Sequence, residues 1–148
     1  MEKPWQKDPV IESIVAQIIR GPNSVCQRIR NSPILLDIWR VCISEMLNNP
    51  FPDSAGKLKN LSSSLIQFDS TVKPLQRCVL MMEALIAAAY KIMVQRKNTA
   101  TGNDMADFLT YVSGEDGMEV VVLMGMMSDM GDFCMELLRY FDSDGFDI

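Results

Sequence analysis

The feature that most constrains this chain is a proline-led, alanine-rich run, Pro74-Leu-Gln-Arg-Cys-Val-Leu-Met-Met-Glu-Ala-Leu-Ile-Ala-Ala-Ala-Tyr-Lys-Ile-Met-Val94. Its apolar residues recur with helical period and it is too long for a strand, so it predicts a helix. Small side chains at Ala84, Ala87, Ala88 and Ala89 let neighbouring helices approach closely on several sides, which makes this segment the expected central post of the fold. Other helix-period runs fill most of the remaining chain. The fold expected is one all-α domain over residues 1–148, a helical bundle of about six or seven helices around that hydrophobic helix, with short flexible ends at about 1–7 and 142–148.

Local signals divide the chain. Asp8-Pro9 pairs a capping side chain with a proline at the first helical position, and Val10, Ile11, Ile14, Val15, Ile18 and Ile19 then repeat until Gly21-Pro22 stops them near Arg20. A short helix around Ser24 to Arg30 turns Val25, Cys26 and Ile29 inward and leaves Gln27, Arg28 and Arg30 to water. Ser32-Pro33 opens a third helix with Leu35, Ile38, Trp39, Cys42, Ile43 and Met46 on one face, ended by Asn48-Asn49-Pro50. Asp53 caps a weaker helix bearing Leu58, Leu61, Leu65 and Phe68. The alanine-rich helix then spans about Pro74 to Arg96, Lys97 to Asn103 reads as an exposed loop, and a short helix from about Asp104 to Val112 directs Met105, Phe108, Leu109 and Val112 inward. After a turn at Gly114 to Gly117, Met118 to Phe141 forms one helix or two, with Gly125 and Gly131 as the expected kinks. Val120, Val121 and Val122 also suit a buried strand, but no second strand-like run exists to pair with it.

Chemistry is constrained by what is missing. The sequence has no histidine, which removes the commonest general base near neutral pH, the usual Ser-His and Cys-His pairs and the commonest metal ligand. No cofactor or metal is expected. Asp104 with Asp107 and Asp129 with Asp132 are about one turn apart, yet solvated surface acids explain them. Asp142-Ser-Asp144-Gly-Phe-Asp147 begins like a calcium loop but has its glycine in the wrong place and no terminal bidentate acid. Gly21, Gly56 and Gly102 are isolated and build no phosphate loop. Cys26, Cys42, Cys78 and Cys134 lie on separate apolar runs without C-x-x-C spacing, and no signal peptide is read at Met-Glu-Lys-Pro-Trp5, so buried reduced thiols in the cytoplasm or nucleus are expected. The most apolar run is broken by Glu83 and Lys91, so no membrane span is expected.

Charge is unevenly spread. Residues 1–74 carry nine Lys/Arg against seven Asp/Glu, net +2, and residues 75–148 carry five against twelve, net −7. The acidic end repels phosphates and suits a basic partner surface. Arg28, Arg30, Arg40, Lys57 and Lys59 are scattered without interleaved aromatics, so nucleic-acid binding is disfavoured. Asn49-Pro50-Phe51 resembles the peptide recognised by EH domains of endocytic adaptors, against which stands a proline-terminated helix with Phe51 folded on the core.

Methionine is the strongest functional signal, with twelve in the chain and six between Met118 and Met135. Such unbranched, polarizable side chains either fill a core or re-pack around differently shaped partners. The expected function is non-enzymatic: a protein-interaction module that self-associates as a homo-oligomer and binds a partner, such as an amphipathic helix, through a Met-rich surface. Val121, Met124, Met127 and Met130 are the expected contacts, and Trp5, an aromatic in a polar arm, is an outlying anchor. Amphipathic helices around a hydrophobic central helix resemble the Bcl-2-like regulators, and the resemblance implies a groove for a partner helix. Leu75-Gln76-Arg77 stands where that family's Asn-Trp-Gly-Arg type signature belongs, and no C-terminal membrane tail is read. Two further alternatives are a structural subunit of a nucleic-acid-associated assembly and a helical enzyme using carboxylates or Cys78.

Overall fold

Every regular element among the described residues, 8–48 and 69–143 of a computed structural model, is helical. Helix α1 (Pro9–Ile14) starts where the cap signal places it, with the Asp8 carboxylate accepting from the N–H of Val10 at 2.9 Å and of Ile11 at 3.3 Å. Beyond Ile14 the chain widens into a π-helical turn, Val15–Arg20, closed by the Gly21 N–H donating to Ala16 O at 2.9 Å. Helical backbone thus reaches Arg20 as expected, with a π turn as its second half. The wide turn keeps Ile14, Val15, Ile18 and Ile19 all buried. A side chain at Gly21 would stand 2.2 Å from that Ala16 carbonyl, so closure of the turn requires glycine there.

Helices α2 (Val25–Arg30) and α3 (Pro33–Ser44) follow the sequence reading, capped by the hydroxyls of Ser24 and Ser32. Each such cap contributes about 1 kcal/mol. Val25, Cys26 and Ile29 are buried, as are Leu35, Trp39, Cys42 and Ile43, with Ile38 and Met46 packed partly against them. Arg28 departs from expectation, because it is half-buried against Asp104 and does not simply face water.

The expected central post is two helices. Helix α4 (Asp69–Leu80) begins before Pro74 and contains it, and α5 (Met82–Gln95) starts after a break at Met81, whose φ of −110° and ψ of 22° are not helical. Pro74 gives up only the bond its N–H would make to Ser70, close to the start of α4. The break has a packing cause: α4 lies on α7, whereas α5 lies on α6 and α3, and one straight rod cannot present its face to both. The alanine expectation itself is met, since Ala84, Ala88 and Ala89 are buried together with Leu85 and Ile92.

Residues 97–99 form the expected connection, but helix α6 (Ala100–Ser113) starts earlier than expected and makes residues 100–103 helical where a loop was expected. Asn98 takes the left-handed conformation at φ 63°, Thr99 caps the helix with its hydroxyl accepting from Gly102 N at 3.1 Å, and Gly102 is buried. A side chain at Gly102 would meet the Arg96 carbonyl at 2.2 Å. Gly102 therefore marks a close approach between the end of α5 and the start of α6. Met105 and Phe108 carry α6 into the core.

Helix α7 (Gly117–Ser143) is one helix of 27 residues, about 40 Å long at 1.5 Å per residue, and it runs through Gly125 and Gly131 and includes Val120–Val122. No helix among the described residues is long and apolar enough to cross a membrane. The expected helix after Asp53, the Asn49-Pro50-Phe51 peptide, Trp5 and the residues after Ser143 lie outside the described residues.

Candidate functional site

Helix α7 is apolar on two faces. Its inner face, Val120, Met124, Ser128 and Gly131, is buried against α4 and α6. Its outer face carries Met118, Val122, Met126, Met130, Phe133, Leu137 and Tyr140, exposed by between 42% and 77% of their surface. Successive members are three or four residues apart, so at 100° per residue they form one stripe about 33 Å long. Monomeric proteins seldom leave an apolar strip of that length to water.

An acidic edge runs beside the stripe. Asp129, Asp132 and Glu136 project within about 60° of one another, all of them exposed. Asp132 accepts a hydrogen bond from the Gln76 side-chain amide, which links α7 to α4 beside the stripe. Arg139 is the one basic residue of α7, against Glu119, Asp129, Asp132, Glu136 and Asp142.

The structure separates the residues expected as contacts. Met130 stands on the outer stripe at 66% exposure. Val121 and Met127 are half-buried at the boundary, Met127 packing against the core. Met124 is fully buried at 0% exposure and is withdrawn as a contact residue. Trp5 lies outside the described residues. The spacing explains the mixture: residues at strict intervals of three slip by about 60° per step, so 121, 124, 127 and 130 sweep half-way round the helix. The intervals of four, four, four, three and four that join Met118, Val122, Met126, Met130, Phe133 and Leu137 are the signal in the sequence that marks this face.

Other places with chemical potential are engaged or small. A cleft of about 570 Å³ opens between the π-helical turn and α6, lined by Gln17, Asn23, Asp104, Asp107 and Tyr111 among others. Asp104 is held by Arg28, whose guanidinium also donates to Asn23, at 2.7 and 3.1 Å. Asp107 is exposed, so the two carboxylates do not form a shared acid–base pair. No group of three or more His, Cys, Asp or Glu residues is arranged to hold a metal among the described residues. Burial pushes the Cys42 thiol up from its ordinary value despite the nearby Lys91 ammonium, which opposes thiolate-based nucleophilic chemistry there.

Comparison with known proteins gives no relative: no family model, curated protein or solved structure matches the chain.

Proposed function

We propose that this chain is a non-catalytic protein-interaction module that takes up an amphipathic helix of a partner polypeptide along the outer face of α7. The observation that carries this reading is the unbroken apolar stripe from Met118 to Tyr140, with half or more of several large side chains left in water. Covering such surface contributes about 25 cal/mol per Å², and methionine adjusts its shape to the partner at little cost. The acidic edge selects the partner's chemistry. A helix of about six turns whose apolar stripe is flanked by Lys or Arg would bury the methionines and set its cations beside Asp129 and Glu136.

Self-association is a second reading, favoured by the near-mirror order of the stripe: about Met130, Val122 corresponds to Leu137 and Met126 to Phe133. An antiparallel pair of α7 helices would then fit stripe to stripe. It would also bring the Asp129 carboxylates of the two copies together, so the copy is the weaker occupant at low salt.

A synthetic amphipathic helix of leucine and lysine, followed by fluorescence anisotropy, tests the proposal. Binding is expected, weakening as salt rises, and Met126→Asp with Met130→Asp should abolish it while circular dichroism stays unchanged. Absence of binding, or equal binding by the doubly substituted chain, would overturn it. Sedimentation of the chain alone that shows dimers strengthening with salt would transfer the face to the second reading.

A further inference from the structure

Two cysteines that the sequence places 52 residues apart meet in the core. Cys26 on α2 and Cys78 on α4 are each 1% exposed, and their sulfurs stand 3.4 Å apart as a thiol–thiol hydrogen bond. All four cysteines of the chain are free thiols. We propose that Cys26 and Cys78 are a modification site, a dithiol pair that peroxide converts to an intramolecular disulfide tying α2 to α4. A disulfide has its sulfurs about 2.05 Å apart, so closure asks each side chain to move by less than ~1 Å.

The step balances with hydrogen peroxide as oxidant. One thiol loses its proton and the thiolate attacks a peroxide oxygen; the O–O bond breaks, hydroxide leaves, and a sulfenic acid forms. The second thiolate attacks that sulfur, the S–S bond forms, the S–O bond breaks and hydroxide leaves. Two thiols give up two protons and two electrons, and the peroxide becomes two waters. Peroxide is little larger than water and enters as the core opens locally. The contact with Cys78 and then burial push the Cys26 thiol well above its ordinary value of 9.0, so thiolate is scarce at neutral pH and the reaction accelerates as pH rises.

Location gives the bond its consequence. It would close a loop that contains α3 and the whole segment between α3 and α4, cross-linking the scaffold on which α7 rests. The outer stripe of α7 does not include either cysteine, so this inference stands or falls apart from the docking proposal.

The test treats the reduced 148-residue chain with hydrogen peroxide and reads its intact mass and its peptide map without reductant. The expected result is a loss of about 2 Da for the two hydrogens removed, linked peptides containing Cys26 and Cys78, reversal by dithiothreitol and a rise in Tm of roughly 10 °C. Cys134→Ser should behave in the same way, while Cys78→Ala should lose the linked species. Oxygen adducts on Cys26 or Cys78 alone, or both thiols surviving while Cys134 is oxidised, would overturn the proposal. The peptide map of the unaltered chain decides between these even if Cys78→Ala does not fold.

Discussion

Helices α5 and α7 are both rich in apolar residues, and the bundle treats them differently. Helix α5 has neighbours on more than one side, and its buried stripe is built largely of alanine, which lets α3 and α6 come close. Helix α7 rests on α4 and α6 and turns methionine, valine and phenylalanine outward. Apolar content alone therefore does not decide burial. Small side chains draw helices together, whereas large ones on a helix with neighbours on one side leave apolar surface exposed.

The contrast can be broken most forcefully in α5 and its surroundings. Leu85→Ala should cost about 3 kcal/mol, from lost burial and the cavity left behind, read as a lowered urea midpoint with unchanged slope. Ala88→Met, which inserts bulk where α5 meets its neighbours, should cost about 1–3 kcal/mol. On α7 the two faces should diverge: Met124→Ala costs about 2–4 kcal/mol, while Met130→Ala changes stability by no more than about 0.5 kcal/mol. Equal losses at Met124 and Met130 would erase the distinction between the faces.

A smaller effect concerns the ion pair that ties α2 to α6. With side-chain exposures of 30% for Arg28 and 16% for Asp104, solvent screening limits its worth, and Asp104→Asn should cost about 1 kcal/mol. The smallest effect expected is at alkaline pH. The hydrogen bond to Cys78 and then burial hold the Cys26 thiol above the ordinary value of 9.0, and burial does so for Cys42 against the opposing pull of Lys91, so the folded chain keeps the protonated forms. The stability this provides is full below pH 9 and falls as pH climbs from there toward the folded-state values. Urea midpoints should decline above pH 9, and less steeply for Cys26→Ala.

Local signals proved readable and tertiary ones did not. Asp8-Pro9, Ser24 and Ser32-Pro33 encode helix starts in the chemistry of a few adjacent residues, and the structure starts helices there. The break at Met81 has no glycine or proline to announce it, because its cause is the different neighbours of α4 and α5. Gly102 has the residue type of a loop and the position of a helix contact, since what selects glycine there is the Arg96 carbonyl. The methionine-rich run was visible in the sequence, but its division into faces required the angular position of each side chain. Val121, Met124, Met127 and Met130, three residues apart, do not share one face, and Met124 belongs to the core.

The central claim, that α7 keeps one methionine face for the core and one for a partner, is tested most directly by the oxidation of individual methionines, read by mass spectrometry. In the free chain Met118, Met126 and Met130 should oxidise rapidly and Met124 slowly, and the basic amphipathic helix should protect Met126 and Met130. Equal rates at Met124 and Met126, or no protection by a bound helix, would contradict it.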